Sequence, residues 1–198
     1  MREIVLDIET TGLLIGEGHR ILEIAAIEME GHKPTGREFY ALINPDRDIP
    51  PDNSKIHGIT QEKVAGKPLF AAIAKELKDF IGDDPIIITC RTKDGYTLDV
   101  EFLNMELKKA GLEPPQPGQW LNVRRWSEAM FGNDNATLNK VLDHYKVDRS
   151  ERDLKGHGAA LDARLLSVIY SDLLKDYARF LESQKKSAPN SKQSPPTI

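Results

Sequence analysis

The period of the hydrophobic pattern changes about a third of the way along this chain, and that change limits the fold more than any single residue does. Residues 3 to 9, then Ile21-Leu22-Glu23-Ile24-Ala25-Ala26-Ile27-Glu28-Met29, then Glu38-Phe39-Tyr40-Ala41-Leu42-Ile43 are short runs that read as strands. Gly31 and Gly36, with Pro34 between them, frame the expected turn of an antiparallel hairpin joining the second and third. From Pro68 onward the spacing becomes helical: Phe70, Ile73, Leu77, Phe80 and Ile81 ahead of Gly82 predict a helix over 68–81. Pro85-Ile86-Ile87-Ile88 predicts a short buried strand, and Phe102, Leu103, Met105 and Leu107 before Gly111 predict a helix over 99–110. A short strand and a short helix are expected between Trp120 and Phe131, a helix over 137–145 with Thr137 as its cap, and a long helix over 159–182. Strands first and helices alternating with strands afterwards predict an α/β fold, a mixed sheet flanked by helices.

Composition narrows the class of protein. The 198 residues, 39% hydrophobic and 29% charged, suit one domain, expected over 1–182. Residues 183–198, rich in Ser, Lys and Pro with only Ala188 and Ile198 apolar, predict a disordered tail. No run approaches the ~20 apolar residues that span a bilayer, and the first residues enter a charged strand instead of a secretory signal, so a cytoplasmic protein without membrane attachment is expected. The single cysteine, Cys90, excludes an intramolecular disulfide and a thiolate metal site, leaving oxygen and imidazole as ligands for any metal. A net charge of −4 argues against a protein that coats nucleic acid non-specifically, but not against an enzyme acting on it.

Three sites carry candidate chemistry. Asp7 and Glu9 stand two apart in Ile4-Val5-Leu6-Asp7-Ile8-Glu9, so strand alternation points both carboxylates to one side. Held side by side they repel, unless a divalent cation or a shared proton lies between them; the plain alternative is two solvated acids on an edge strand. In Gly156-His157-Gly158-Ala159-Ala160-Leu161-Asp162, the glycines permit unusual backbone angles around His157, and Asp162 falls about one and a half turns into the next helix. Asp162 can thereby join a carboxylate cluster beside His157, although a lone histidine before a helix also serves as a cap or surface residue. Asp99, in Leu98-Asp99-Val100-Glu101-Phe102-Leu103-Asn104, reads equally well as an acid stabilised by a helix dipole.

Taken together, Asp-Ile-Glu-Thr-Thr-Gly at 7–12, the Asp99 segment with Phe102-Leu103-Asn104, and His-Gly-Ala-Ala-Leu-Asp-Ala at 157–163 resemble the three motifs of the DEDDh 3′→5′ exonucleases. Within that family the chain is most similar to the proofreading epsilon subunits of bacterial DNA polymerase III, over about residues 1 to 175, including Ile56-His57-Gly58-Ile59-Thr60. The resemblance implies a ribonuclease-H-like fold with a five-stranded sheet. It implies Asp7, Glu9, Asp99 and Asp162 as ligands of two Mg²⁺ or Mn²⁺ ions, with Asp7 bridging them and His157 as general base. One cation would help deprotonate the attacking water and the other would stabilise the departing 3′ oxygen. Thr10 and Thr11 would bind the terminal 3′-hydroxyl, though turn capping is the simpler role, and Leu13 would pack on the terminal base. His57 is a candidate substrate contact that serves structure equally well. The implied partners are DNA 3′ ends, with RNA also open, the alpha subunit of DNA polymerase III and a theta-like subunit.

The chain departs from the family at the middle motif, which usually reads His-Asn-Ala-x-Phe-Asp. Here Thr89-Cys90-Arg91-Thr92-Lys93-Asp94-Gly95-Tyr96-Thr97-Leu98-Asp99 lacks the His-Asn pair and is a few residues longer. Asp94 therefore competes with Asp99 for the ligand role, and Arg91 and Lys93 become candidate phosphate contacts. No obvious clamp-binding motif follows Tyr170-Ser171-Asp172-Leu173-Leu174. The readings that follow are a proofreading exonuclease on single-stranded or frayed DNA, an RNA-trimming enzyme of the same chemistry, and a weakly active polymerase- or nucleic-acid-binding module with the nuclease fold.

Overall fold

A computed structural model of the chain describes residues 1–93 and 96–187. Three long strands come first, β1 (Arg2–Thr10), β2 (Ile21–Glu30) and β3 (Lys33–Leu42), as the opening apolar runs predict. The turn between β2 and β3 is only Gly31-His32, both with positive φ (58° and 65°), the combination that matches the twist of a two-residue hairpin. Gly36 does not frame that turn: it lies inside β3 with φ 90°, where the β2–β3 register shifts between Ile27 and Met29.

Three short helices that the pattern leaves as loop are α1 (Pro51–His57), α2 (Gln61–Val64) and, later, α7 (Ser150–Lys155). The remaining elements follow the expected order: α3 (Phe70–Ile81), β4 (Ile86–Ile88), α4 (Leu98–Lys109), β7 (Trp120–Asn122), α5 (Arg124–Phe131), α6 (Leu138–His144) and α8 (Ala159–Ser187). The altered middle motif folds into a small ladder of β5 (Thr92–Lys93) and β6 (Tyr96–Thr97), closed by a 2.9 Å hydrogen bond between the Thr92 and Thr97 hydroxyls. Asp94 lies outside the described residues. The final helix runs five residues beyond the predicted end at 182, and the rest of the expected tail, 188–198, also lies outside them.

The sheet is five-stranded in the order β3-β2-β1-β4-β7, antiparallel across the first three strands and parallel from β1 to β4 to β7. Strand parity sorts β1 between two cores. Ile4, Leu6 and Ile8 pack with α3 and α4 through Phe70, Leu77, Phe102 and Leu103. Val5 faces the other way, among Leu142 of α6 and Ala163, Leu166 and Ile169 of α8. Each fully buried side chain of this kind contributes ~1.5–3 kcal/mol relative to exposure. Asp7 and Glu9 share the parity of Val5, so they point toward the layer that carries Asp162. Among the described residues no helix is long and apolar enough to cross a membrane.

Candidate active site

The cleft forms where β1 ends. Its register against β2 shifts between Glu9 and Thr10, which bends the chain into Thr10-Thr11-Gly12. A Cβ at Gly12 would stand 2.3 Å from the His19 ring, so any larger residue there displaces that ring. Thr10 Oγ1 donates to the Gly12 carbonyl at 2.7 Å; Thr11 Oγ1 accepts from the Arg20 amide at 3.0 Å and pairs with His19 Nδ1 at 3.0 Å. Both threonines are buried, and their hydroxyls are engaged in shaping the turn, which is the simpler of the two roles the sequence allows. Leu13, 70% exposed, projects at the rim.

Asp99 stands in the first turn of α4, which Arg20 ties to the β1–β2 loop by a two-pronged ion pair with buried Glu106. Asn122, at the end of β7, steadies the altered segment from below: its Nδ2 donates to the Cys90 carbonyl at 2.6 Å and its Oδ1 accepts from the Cys90 amide at 3.3 Å. Asp162 lies in the first turn of α8, whose start is held by Glu23; Glu23 Oε2 accepts from the Ala159 amide at 2.7 Å and Oε1 from the Tyr40 hydroxyl at 2.9 Å. His157 precedes that helix on a loop pinned to α1, its amide donating to the Ile56 carbonyl at 3.1 Å. His57 lies near this junction but is buried, with Nδ1 accepting from the Ile59 amide at 3.1 Å, and it lines neither opening of the cleft. Its Nδ1 is used inside the α1 turn, while the ring is close enough to His157 and the Thr10 backbone to be influenced by both.

Two openings meet at Asp7 and Thr89. One, of about 400 Å³, is lined by Asp7, Glu9, Asn139, Arg152, His157 and Asp162. The other, of about 910 Å³, is lined by Asp7, Leu13, Cys90, Arg91, Leu98 and Asp99. The fold thus brings Asp7, Glu9, Asp99, Asp162 and His157 to one cleft from three distant parts of the chain. Ligand atoms of Glu9, His157 and Asp162 lie within 4.8 Å of one another.

The acids strain against each other. Burial, then Asp99, Asp162 and Glu9, holds the Asp7 carboxyl well above the usual range, with Arg152 opposing. Glu9 is pushed up to about 8 by burial first, then by Asp162, Glu23 and Asp99. Asp99 is raised to about 7 by burial, against hydrogen bonds from the Cys90 thiol and its own amide. Several raised carboxyls in one open cleft mark a place where added positive charge is strongly favoured. Oxygen-rich donors of this kind suit hard divalent cations. His157, half-exposed, is shifted down by burial and by Arg152, with Asp162 opposing, which favours its neutral ring.

Arg152, Glu23, Asn139 and Asn122 belong to this site and are not visible in sequence spacing. Arg152 stands ten positions before Asp162 and meets it only because the loop at 156–158 folds α7 back; the signal for it is the charge balance of four acids, which demands a nearby cation without saying where it comes from.

The exonuclease family profile matches residues 4–170 of the chain. The DNA polymerase III subunit epsilon of Rickettsia felis is 42% identical over 176 residues, covering 87% of this chain and 74% of that protein. Its counterpart in Escherichia coli strain K12 is 34% identical over 176 residues, covering 85% and 70% respectively. Among solved structures, the nuclease domain of 3′hExo, a DEDDh family member bound to rAMP, superposes with a TM-score of 0.70 at 20% identity, covering 88% of this chain and 92% of that one. Escherichia coli exonuclease I in complex with a dT13 oligonucleotide does so with a TM-score of 0.73 at 16% identity, covering 92% and 43%. These last two establish the shared fold, and the first two the closer kinship. The chain belongs to the exonuclease family, in the group that contains the epsilon subunits of bacterial DNA polymerase III.

Proposed function

We propose that the protein is a cation-dependent 3′→5′ exonuclease that removes nucleotides from the 3′ ends of single-stranded or frayed DNA, acting as the proofreading partner of a bacterial replicative polymerase in the cytoplasm. The observation that carries this reading is the convergence of Asp7, Glu9, Asp99 and Asp162 with His157 in one open cleft, in a chain of this family. Two divalent cations, Mg²⁺ or Mn²⁺, held by the four carboxylates would supply electrophilic activation of the phosphodiester and charge stabilisation for the departing oxygen.

The chain's own residues do the rest. Asp7 sits where both openings meet, so it is the acid suited to serve both cations. Glu9 and Asp162 complete one side and Asp99 the other. His157 accepts a proton from the attacking water, a role worth roughly 10²- to 10⁴-fold in rate. Leu13 offers an apolar surface at the rim for the last base, and Arg91, lining the same opening, is placed to meet a phosphate. Polymerase association rests on the epsilon kinship, and the alpha subunit is the proposed contact.

Digestion of 3′- and 5′-labelled DNA and RNA with Mg²⁺ or Mn²⁺, beside Asp7→Ala and His157→Ala, tests the reading. Loss of 3′ nucleotides by the parent alone is expected, with DNA preferred over RNA. Equal degradation by Asp7→Ala would remove this cleft as the active site, and faster trimming of RNA would overturn the proofreading role.

A further inference from the structure

Four carboxylates need positive charge nearby, and the fold provides one residue that meets the need from inside. Arg152 of α7 is buried and lies against Asp162 with both side chains only 6% exposed. Its Nε donates to Asp162 Oδ1 at 2.5 Å and its Nη2 to Oδ2 at 2.8 Å, a two-pronged pair largely shielded from solvent at the wall of the cleft. Nη2 also donates to His157 Nδ1 at 2.9 Å, and Nη1 donates to Asn139 Oδ1 of α6. Guanidinium has no lone pair to offer, so His157 Nδ1 must be the acceptor, and a neutral ring then carries its proton on Nε2. One side chain therefore occupies both oxygens of an expected cation ligand and the free lone pair of the expected base, while Asn139 holds it in place.

We propose that Arg152 is a positioning residue that competes with a divalent cation for Asp162: it keeps Asp162 and His157 in register while the carboxylate is ion-paired, and a cation arriving at Asp162 loosens the guanidinium and releases His157 Nδ1. The inference rests on Asp162 being a cation ligand, as proposed above. A divalent ion prevails because it can be shared by several of the acids at once, whereas the planar fork of an arginine satisfies one carboxylate. Competition of this kind lowers apparent cation affinity and in return preserves the shape of the site. A purely structural Arg152 would have the opposite effect on binding, since its loss would scatter the ligands and weaken the cation.

Titration of the full chain with Mn²⁺, read by electron paramagnetic resonance, separates the two. Arg152→Gln is expected to bind Mn²⁺ roughly tenfold more tightly than the parent, the order of effect for removing one buried charge from beside another. Arg152→Lys, which keeps the charge and loses the fork, should fall between them. In chelator the Arg152→Gln protein should melt at a lower temperature than the parent, and saturating Mg²⁺ should raise its melting temperature by more. In ¹⁵N spectra, Mg²⁺ should move the His157 Nδ1 resonance of the parent. Unchanged or weaker Mn²⁺ binding by Arg152→Gln overturns the inference, and so does a His157 Nδ1 resonance indifferent to Mg²⁺. Should Arg152→Gln fail to fold, parental or weaker binding by Arg152→Lys overturns it as well. Parental binding that Asp162→Asn abolishes, with Arg152→Gln unchanged, defeats this inference alone; failure of the parent to bind Mn²⁺ defeats the reading beneath it too.

Discussion

Glu9 enters the folded state with a carboxyl whose ordinary value of 4.5 is pushed up to about 8, by burial first and by Asp162 and Glu23 next. The folded protein therefore holds its proton more tightly than the unfolded chain does, and stability without cations is greatest below about pH 4.5 for this group and is lost as pH rises toward 8. Asp7 and Asp99 are shifted the same way, so their contributions add in sign. Cation binding at the proposed site would reverse the slope, because it favours the ionised acids. Melting curves between pH 4.5 and 8, the limits set by Glu9, should fall with pH in chelator and be flat or rising in Mg²⁺, with the gap between the two widest near pH 8. A gap that does not grow with pH would mean the acids are not paired with the cation.

At the scale of elements, the loop between α7 and α8 is what positions His157, the proposed base. Gly156 has φ 82°, and a Cβ there would stand 2.7 Å from the Ile56 carbonyl, whose oxygen also accepts the His157 amide. Gly156→Ala should cost ~1–3 kcal/mol and lower the melting temperature by ~2–4 °C for each of these. Nuclease rate should fall at least about tenfold, part of what a misplaced base forfeits; a parental rate would show that His157 does not depend on this loop. The glycines flanking His157 were legible as a sign of unusual backbone, which Gly156 alone adopts, but its target on α1 was not legible. Long elements could be read because periodicity accumulates over many residues: β1, β2, α3, α4 and the start of α8 lie where apolar spacing puts them. The short helices α1, α2 and α7 hold too few turns for a pattern and bury one residue each. For α1, Pro51 at the first position and Gly58 with φ 68° after the last were the available signal. Thr92–Lys93 and Tyr96–Thr97 pair over two residues each, below what alternation can reveal. Within the cleft, Asp7, Glu9, His157 and Asp162 announced themselves by local grouping, while Arg152 and Glu23 act across the fold and left no local trace.

At the scale of the whole molecule, charge decides how nucleic acid is met. A chain of net charge −4 with several of its acids gathered in the cleft repels a phosphate backbone there, and cations held by those acids would reverse the local sign. An oligonucleotide with a hydrolysis-resistant 3′-terminal linkage should bind at least about tenfold more weakly in chelator than in Mg²⁺ by fluorescence anisotropy, the scale expected when a few phosphate contacts are lost. Equal binding in both would place the DNA on a surface other than this cleft. The partition of β1 between two cores has a further consequence. Asp99 is fixed by the layer that packs Ile4, Leu6 and Ile8, and Asp162 by the layer that packs Val5. Neither layer alone assembles the proposed site, and its last acid arrives with α8. On that reading, a chain still emerging from the ribosome, with α8 inside the exit tunnel, would have no cutting edge to turn on the nucleic acids around it.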